Sequence, residues 1–164
     1  MKHMAELRSI VKGTLLEQEP MSQHTSYGIG GPVTAYITPR DRFDLAEILK
    51  FANEHAIPAY FVGSGSNLLV ADDGIDGIVI SPTKSLKHLE INRGIVTAES
   101  GVMLGRMVKE CIHQDLTGLE SLIGVPGTLG GALVMNAGAF DGEISNYLKS
   151  VDIMTMKGEV HTYT

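Results

Sequence analysis

The chain has 164 residues, 43% hydrophobic and 20% charged, enough apolar material for the core of one ordinary domain or two very small ones; this excludes a disordered tail. Lys and Arg number 13 against 19 Asp and Glu, for a net charge of −6, and no basic cluster is present. That balance argues against nucleic-acid binding driven by backbone charge. The single cysteine, Cys111, excludes an internal disulfide and fits a reducing cytoplasm.

No secretory signal is visible, because Met1 to Glu19 mixes Lys, Glu and Arg among its apolar residues. The longest uncharged run, Ser121 to Phe140, has the length of a membrane span, but its many glycines, Pro126 and Asn136 make a poor spanning helix. Glycine is the compositional anomaly, with 19 residues, or about 12%, against a usual ~7%. Such an excess collects where backbone must approach something closely.

In chain order, Met4, Leu7, Ile10, Val11 and Leu15 recur at helical spacing and predict an amphipathic helix. The polar, glycine-containing stretch from Glu17 to Pro32 reads as loop. Val33 to Thr38 reads as a strand closed by Pro39. Asp41 is placed to cap a helix to about Glu54, with Phe43, Leu45, Ile48, Leu49 and Ala52 as its apolar stripe. Pro58 to Val62 is a short strand that Gly63 breaks. Further short strands are expected at Leu68–Val70, Gly77–Ile80, Leu86–Ile91 and Ile95–Ala98, the last two joined through Asn92-Arg93-Gly94. Met103 to His113 predicts a second helix, and Ser150 to Tyr163 a hairpin turning at Lys157-Gly158. Clustered short strands with few helices give an α+β class.

Two glycine-rich loops stand out. In Gly63-Ser64-Gly65-Ser66-Asn67-Leu68, a strand empties into small residues whose peptide N–H groups can form an anion nest, with Ser and Asn adding donors. The second runs Val125-Pro126-Gly127-Thr128-Leu129-Gly130-Gly131, then Val134, Asn136, Gly138 and Phe140. Its small residues suit close packing of backbone on backbone or on a flat ligand. Neither is a dinucleotide fingerprint or a P-loop. The Asp72 to Gly77 turn lacks the ligands of a calcium loop, because the third ligand position is Gly74 and the twelfth is Thr83, where Glu is required. Six scattered histidines, with Cys111-Ile112-His113 lacking a second half, predict no metal site.

Three motifs in order carry a family resemblance. They are His24-Thr25-Ser26-Tyr27-Gly28-Ile29-Gly30-Gly31-Pro32; Gly63 to Val70 with Asp73-Gly74 and Gly77; and Gly118-Leu119-Glu120 through Gly124–Gly131 to Asn136-Ala137-Gly138-Ala139-Phe140. Together they resemble the UDP-N-acetylenolpyruvoylglucosamine reductase family, flavoenzymes of peptidoglycan precursor synthesis. The resemblance implies an FAD-binding fold of the vanillyl-alcohol-oxidase (PCMH) type with two small α/β subdomains, expected at 1–64 and 65–164. The second is expected to be incomplete at its C-terminal end, with the substrate-binding domain absent.

By the family pattern, Gly63, Ser64, Gly65, Ser66, Asn67 and Leu68 wrap the FAD diphosphate. Val125, Pro126, Gly127, Thr128, Gly130, Gly131, Val134, Asn136 and Gly138 line the flavin and its ribityl chain. Related covalent flavoproteins often carry a histidine in the first loop, so Ser66 and Asn67 imply noncovalent FAD. Phe140 stands where a substrate-contacting Tyr is common. NADPH is the implied hydride donor and UDP-N-acetylglucosamine enolpyruvate the substrate. The family's catalytic Arg, Glu and Ser are expected beyond Thr164, so no catalytic residue is assigned and the 164-residue chain alone is expected to be inactive. Nucleic acid, membrane and an obligate protein partner are not expected, and the cytoplasm is the implied location. Two other readings stay open: another flavin oxidoreductase of the same fold, and a non-enzymatic nucleotide-binding module.

Overall fold

A computed structural model of the chain describes residues 2–164. The described residues pack into two compact units, one running to Ser81 and including Ser150–Thr164, the other comprising Pro82–Lys149. These packing units thus divide between 81 and 82, and the last fifteen residues join the first unit.

The first unit is organised by a four-stranded sheet in the order β1-β2-β4-β3, formed by β1 (Thr14–Pro20), β2 (Pro32–Thr38), β3 (Ala59–Phe61) and β4 (Ile75–Ile80). β1 runs antiparallel to β2, while β2 and β3 both pair parallel with β4. β4 therefore lies inside the sheet. Its run Gly77-Ile78-Val79-Ile80 is buried throughout, as expected of a parallel strand covered on both faces. The boundary follows from this pairing, because β3 finds its partner at residues 78–80.

Two expectations fail at the start of the chain. The first helix, α1, stops at Ile10 (Met4–Ile10), and β1 occupies what was read as helix end and loop. Leu15 sits at helical spacing from Val11, yet it pairs with Ile37 across the sheet. The Asp44 carboxylate ends the helix by accepting the N–H groups of Lys12 (3.0 Å) and Gly13 (2.9 Å). The polar Glu17-Gln18-Glu19 suits an edge strand, where one side meets water.

Helix α2 (Arg42–Glu54) forms as predicted. Asp41 caps it by accepting from the N–H groups of Phe43 (3.0 Å) and Asp44 (2.9 Å), and Leu45, Ile48, Leu49 and Ala52 are buried. Phe43 is exposed, outside the stripe assigned to it. Leu68–Val70 is not a strand; Val70 is apolar because it packs with Met21, Val33, Tyr36, Val62 and Val79. The hairpin of β9 (Val151–Met154) and β10 (Val160–Tyr163) turns at Gly158. A Cβ there would come within 2.8 Å of Lys50 Cε and 3.2 Å of the Ala46 carbonyl, so the turn sits against α2.

The second unit holds the hairpin β5 (Leu89–Asn92) and β6 (Ile95–Ala98), helix α3 (Leu104–His113), the six-residue helix α4 (Leu129–Val134), and a minimal hairpin of β7 (Gly138–Ala139) and β8 (Gly142–Glu143). Positive φ at Arg93 and Gly94 gives the first hairpin a two-residue turn matched to strand twist. Val102, Leu104, Met107, Val108, Leu122, Ala132 and Ile144 form the core. The α+β class holds throughout.

Candidate functional site

The first glycine loop leaves β3 where Val62 donates its N–H to the Ile80 carbonyl (3.0 Å) and then turns at once. Gly65 is buried, with φ +68. A Cβ there would collide with the His24 carbonyl oxygen and stand 2.9 Å from Thr25 Cα. In return, the Gly65 carbonyl accepts the Ser26 N–H at 3.0 Å. Gly63, Ser64, Ser66 and Leu68 are half-buried and Asn67 is exposed, with the Ser64 and Ser66 hydroxyls 3.2 Å apart. Small donors thus line a loop whose backbone has no room for a side chain at its centre.

What fixes His24 is a set of contacts that sequence reasoning did not assign. Its ring lies stacked on Tyr36, with centroids 3.8 Å apart and planes at 16°, and its Nε2 is 2.9 Å from Glu19 Oε1. Burial pushes the Tyr36 phenol up from its ordinary value, partly offset by its hydrogen bond to Ser81. β1 and β2 therefore hold the first motif from below, and that motif holds the 63–68 loop. The only sequence signal was His24 itself, inside a motif quoted for family resemblance.

The second loop is stitched into its own unit. Leu104 N–H bonds the Gly127 carbonyl (2.9 Å), Leu129 N–H the Val102 carbonyl (2.7 Å), and Gly130 N–H the Ser100 carbonyl (2.9 Å). Thr128, buried, caps α4 by accepting from Gly131 N–H at 3.3 Å. The first N–H groups of α4 are thus engaged internally. Gly130 is required because a Cβ would sit 2.9 Å from Ser100 Cβ. Val125 is half-buried, while Pro126, Gly131 and Gly138 are exposed and Val134 is 85% exposed.

Asn136 ends α4 with φ +44. Its N–H bonds the Leu133 carbonyl (3.2 Å) and the next N–H, of Ala137, bonds the Ala132 carbonyl (2.8 Å), which is a Schellman closure. Its side-chain Oδ1 accepts from Ser145 N–H at 3.2 Å. Its amide also bonds Glu143, which with Ser145 holds that carboxyl below its ordinary range. Phe140 is 86% exposed at the tip of the β7–β8 hairpin. An open depression of about 540 Å³ is lined by Asn136, Gly138, Phe140, Asp141, Glu143 and Asn146 among others. Val134, Met135, Asn136, Gly138 and Phe140 are therefore presented to solvent, while Ala137 packs on the core and 127–130 are committed to packing.

Against known families, residues 33–164 match the model of the FAD binding domain. The chain belongs to the FAD-binding domain family. Among curated proteins, UDP-N-acetylenolpyruvoylglucosamine reductase of Clostridioides difficile is 42% identical over 154 residues, covering 94% of this chain and 51% of that protein. The namesake of Streptococcus thermophilus is 42% identical over 144 residues, 88% of this chain and 47% of that protein. The chain spans about half the length of the curated relatives it matches.

Among solved structures, the reductase (MurB) of Thermus caldophilus aligns with TM-score 0.71 at 32% identity, covering 93% of this chain and 52% of that one. The 6-hydroxy-D-nicotine oxidase of Arthrobacter nicotinovorans gives TM-score 0.72 at 18% identity, covering 94% and 36%, a likeness of fold alone. The expected resemblance and the PCMH-type FAD-binding fold are both borne out. No helix among the described residues is long and apolar enough to cross a membrane.

Proposed function

We propose that this FAD-binding domain holds FAD noncovalently and serves, in the cytoplasm, as part of an NADPH-dependent reductase converting UDP-N-acetylglucosamine enolpyruvate to UDP-N-acetylmuramate. The observation that carries this reading is 42% identity, over 154 residues, to a reductase named for that substrate. The chain's residues also fit the cofactor. Gly65 lets the 63–68 backbone turn tightly against the His24 carbonyl, and the Ser64 and Ser66 hydroxyls flank that turn, a small-residue donor set suited to a diphosphate.

In this proposal Gly63, Ser64, Gly65, Ser66, Asn67 and Leu68 bind the diphosphate through peptide N–H and hydroxyl donors. Val125, Pro126, Gly131, Val134, Asn136 and Gly138 meet the flavin and ribityl chain through their accessible surface, while Gly127, Thr128 and Gly130 shape the loop that presents them, since the first N–H groups of α4 are already engaged. Noncovalent binding is supported by the absence of His and Cys from residues 63–68, while the His24 ring is occupied by Glu19 and Tyr36. FAD, when bound, supplies a carrier that takes hydride from NADPH and passes it to the substrate. Phe140, exposed at a hairpin tip, is assigned to substrate packing. The proton donor and the substrate-binding domain are assigned to the half of the relatives' length that this chain does not span.

The test is an FAD titration of the chain followed by flavin fluorescence. It is joined by an NADPH oxidation assay on the chain completed with the remaining half of a relative. Oxidation dependent on the enolpyruvyl sugar, with the lactyl product formed, is the expected result. A folded, completed protein that takes up no FAD would sink the proposal.

A further inference from the structure

We propose that His3, Glu6 and His55 form a binding site for a borderline first-row divalent cation of the zinc class. His3 immediately precedes α1, Glu6 lies in its first turn, and His55 follows the last residue of α2. The fold brings them together across 52 positions of sequence. His3 Nδ1 is 3.0 Å from Glu6 Oε2, the two imidazole rings lie with centroids 4.1 Å apart, and one ligand atom from each residue falls within 4.8 Å of the others.

The ligand chemistry selects the ion. Two imidazole nitrogens and one carboxylate oxygen suit zinc and its neighbours, whereas calcium and magnesium take oxygen sets. Three protein ligands leave a fourth tetrahedral position for water. Bonds of roughly 2.0–2.2 Å to a shared ion put tetrahedral ligand atoms about 3.3 Å apart. The 3.0 Å His3–Glu6 pair is already near that spacing, and the His55 ligand atom lies within 4.8 Å of both, a gap that side-chain rotation closes when an ion binds.

The floor of the site is Phe51. Its ring meets His55 at 4.3 Å and His3 edge-on at 6.4 Å, so both imidazoles are held by packing before any ion arrives. The third ligand distinguishes this cluster from the other histidine–carboxylate contacts among the described residues. His24 with Glu19, His88 with Glu90 and His161 with Glu159 each offer only two ligands. Ion binding here would pin α1 to the end of α2.

The test titrates zinc into the metal-free chain by calorimetry at neutral pH, with cobalt as a spectroscopic probe. One site is expected, together with the visible bands of four-coordinate cobalt. His3→Ala and His55→Ala should each weaken zinc binding by ~10-fold or more. His88→Ala should leave it unchanged. Glu6 is exposed, so Glu6→Gln keeps the fold and tests the site without disturbing histidine packing; it too should weaken binding and shift the cobalt bands. Zinc binding unchanged by both His55→Ala and Glu6→Gln, or no zinc binding by the folded chain, overturns the proposal.

Discussion

The carbonyl oxygen of His24 occupies the space that a Cβ on Gly65 would need. The glycine is therefore a packing requirement of the first unit, whatever else it does for a ligand. Gly65→Ala adds left-handed strain to a backbone collision and should cost about 2 kcal/mol or more. Denaturant unfolding should show the loss even without FAD. Asn67→Ala is the complementary variant, since Asn67 is exposed. Stability should change by less than about 0.5 kcal/mol, while FAD affinity should fall about tenfold. An Asn67→Ala protein with unaltered FAD affinity would remove that side chain from the proposed site.

Asp44 is fully buried, and its carboxylate accepts three peptide N–H groups, from Lys12 (3.0 Å), Gly13 (2.9 Å) and Arg40 (2.7 Å). It fastens the entry of β1 to the turn between β2 and α2. Asp44→Ala leaves three donors without their acceptor and should destabilise the first unit by about 3–5 kcal/mol. Thermal unfolding is the measurement. A change under about 1 kcal/mol would show that water replaces the carboxylate at little cost.

At the end of α4, Asn136 combines a left-handed backbone with contacts to Ser145 and Glu143. Asn136→Gly keeps the backbone geometry and loses the contacts, whereas Asn136→Leu loses both. The leucine variant should be the less stable by about 1 kcal/mol. If the amide also touches bound flavin, both variants should shift the flavin absorption spectrum. An unshifted spectrum in both would confine Asn136 to the helix cap.

Hydrogen bonds from the Asp44 and Phe43 N–H groups, and the neighbouring Arg40 guanidinium, hold the Asp41 carboxyl below its ordinary value. A carboxylate depressed in the folded state contributes stability that is present above its unfolded pKa and lost as pH falls through the folded one. The Asp41 contribution should therefore persist through neutral and mildly acidic pH and disappear only below about pH 3.8, its ordinary value. Asp41→Asn should flatten that acid limb of the stability curve and leave the neutral-pH limb parallel to wild type.

Cys111 is buried on α3, and its burial, with Glu110 nearby, pushes the thiol up from its ordinary value. Because the thiolate is the reactive form, alkylation of the native chain should be slow and should accelerate sharply once the chain unfolds. Labelling at equal rates in buffer and in denaturant would show that the second unit opens freely.

Much of the fold was readable from local chemistry. Asp41 before an apolar stripe set the start of α2, and Asn92-Arg93-Gly94 between alternating runs set the β5–β6 hairpin. Both signals lie within a few residues of the structure they specify. The glycine loops were readable for a related reason, since small residues at such density mark backbone in close approach. What they approach was not readable. Gly130 answers to Ser100, thirty residues earlier, and Gly65 to His24, forty-one residues earlier.

The sequence by itself determined the α+β class, the helices α2 and α3, the two turn-closed hairpins and, through three ordered motifs, the FAD-binding family. Only the tertiary structure decided that β1 is a strand, because its polar edge composition reads as loop until β2 supplies the partner. It also decided that residues 150–164 pack with α2, and that β4 ties residues 75–81 to the first unit. The same holds for the His24–Glu19–Tyr36 contact and for the meeting of His3 with His55. Each joins residues far apart in the chain, and no local pattern of charge or hydrophobicity records which distant segments a folded core will bring into contact.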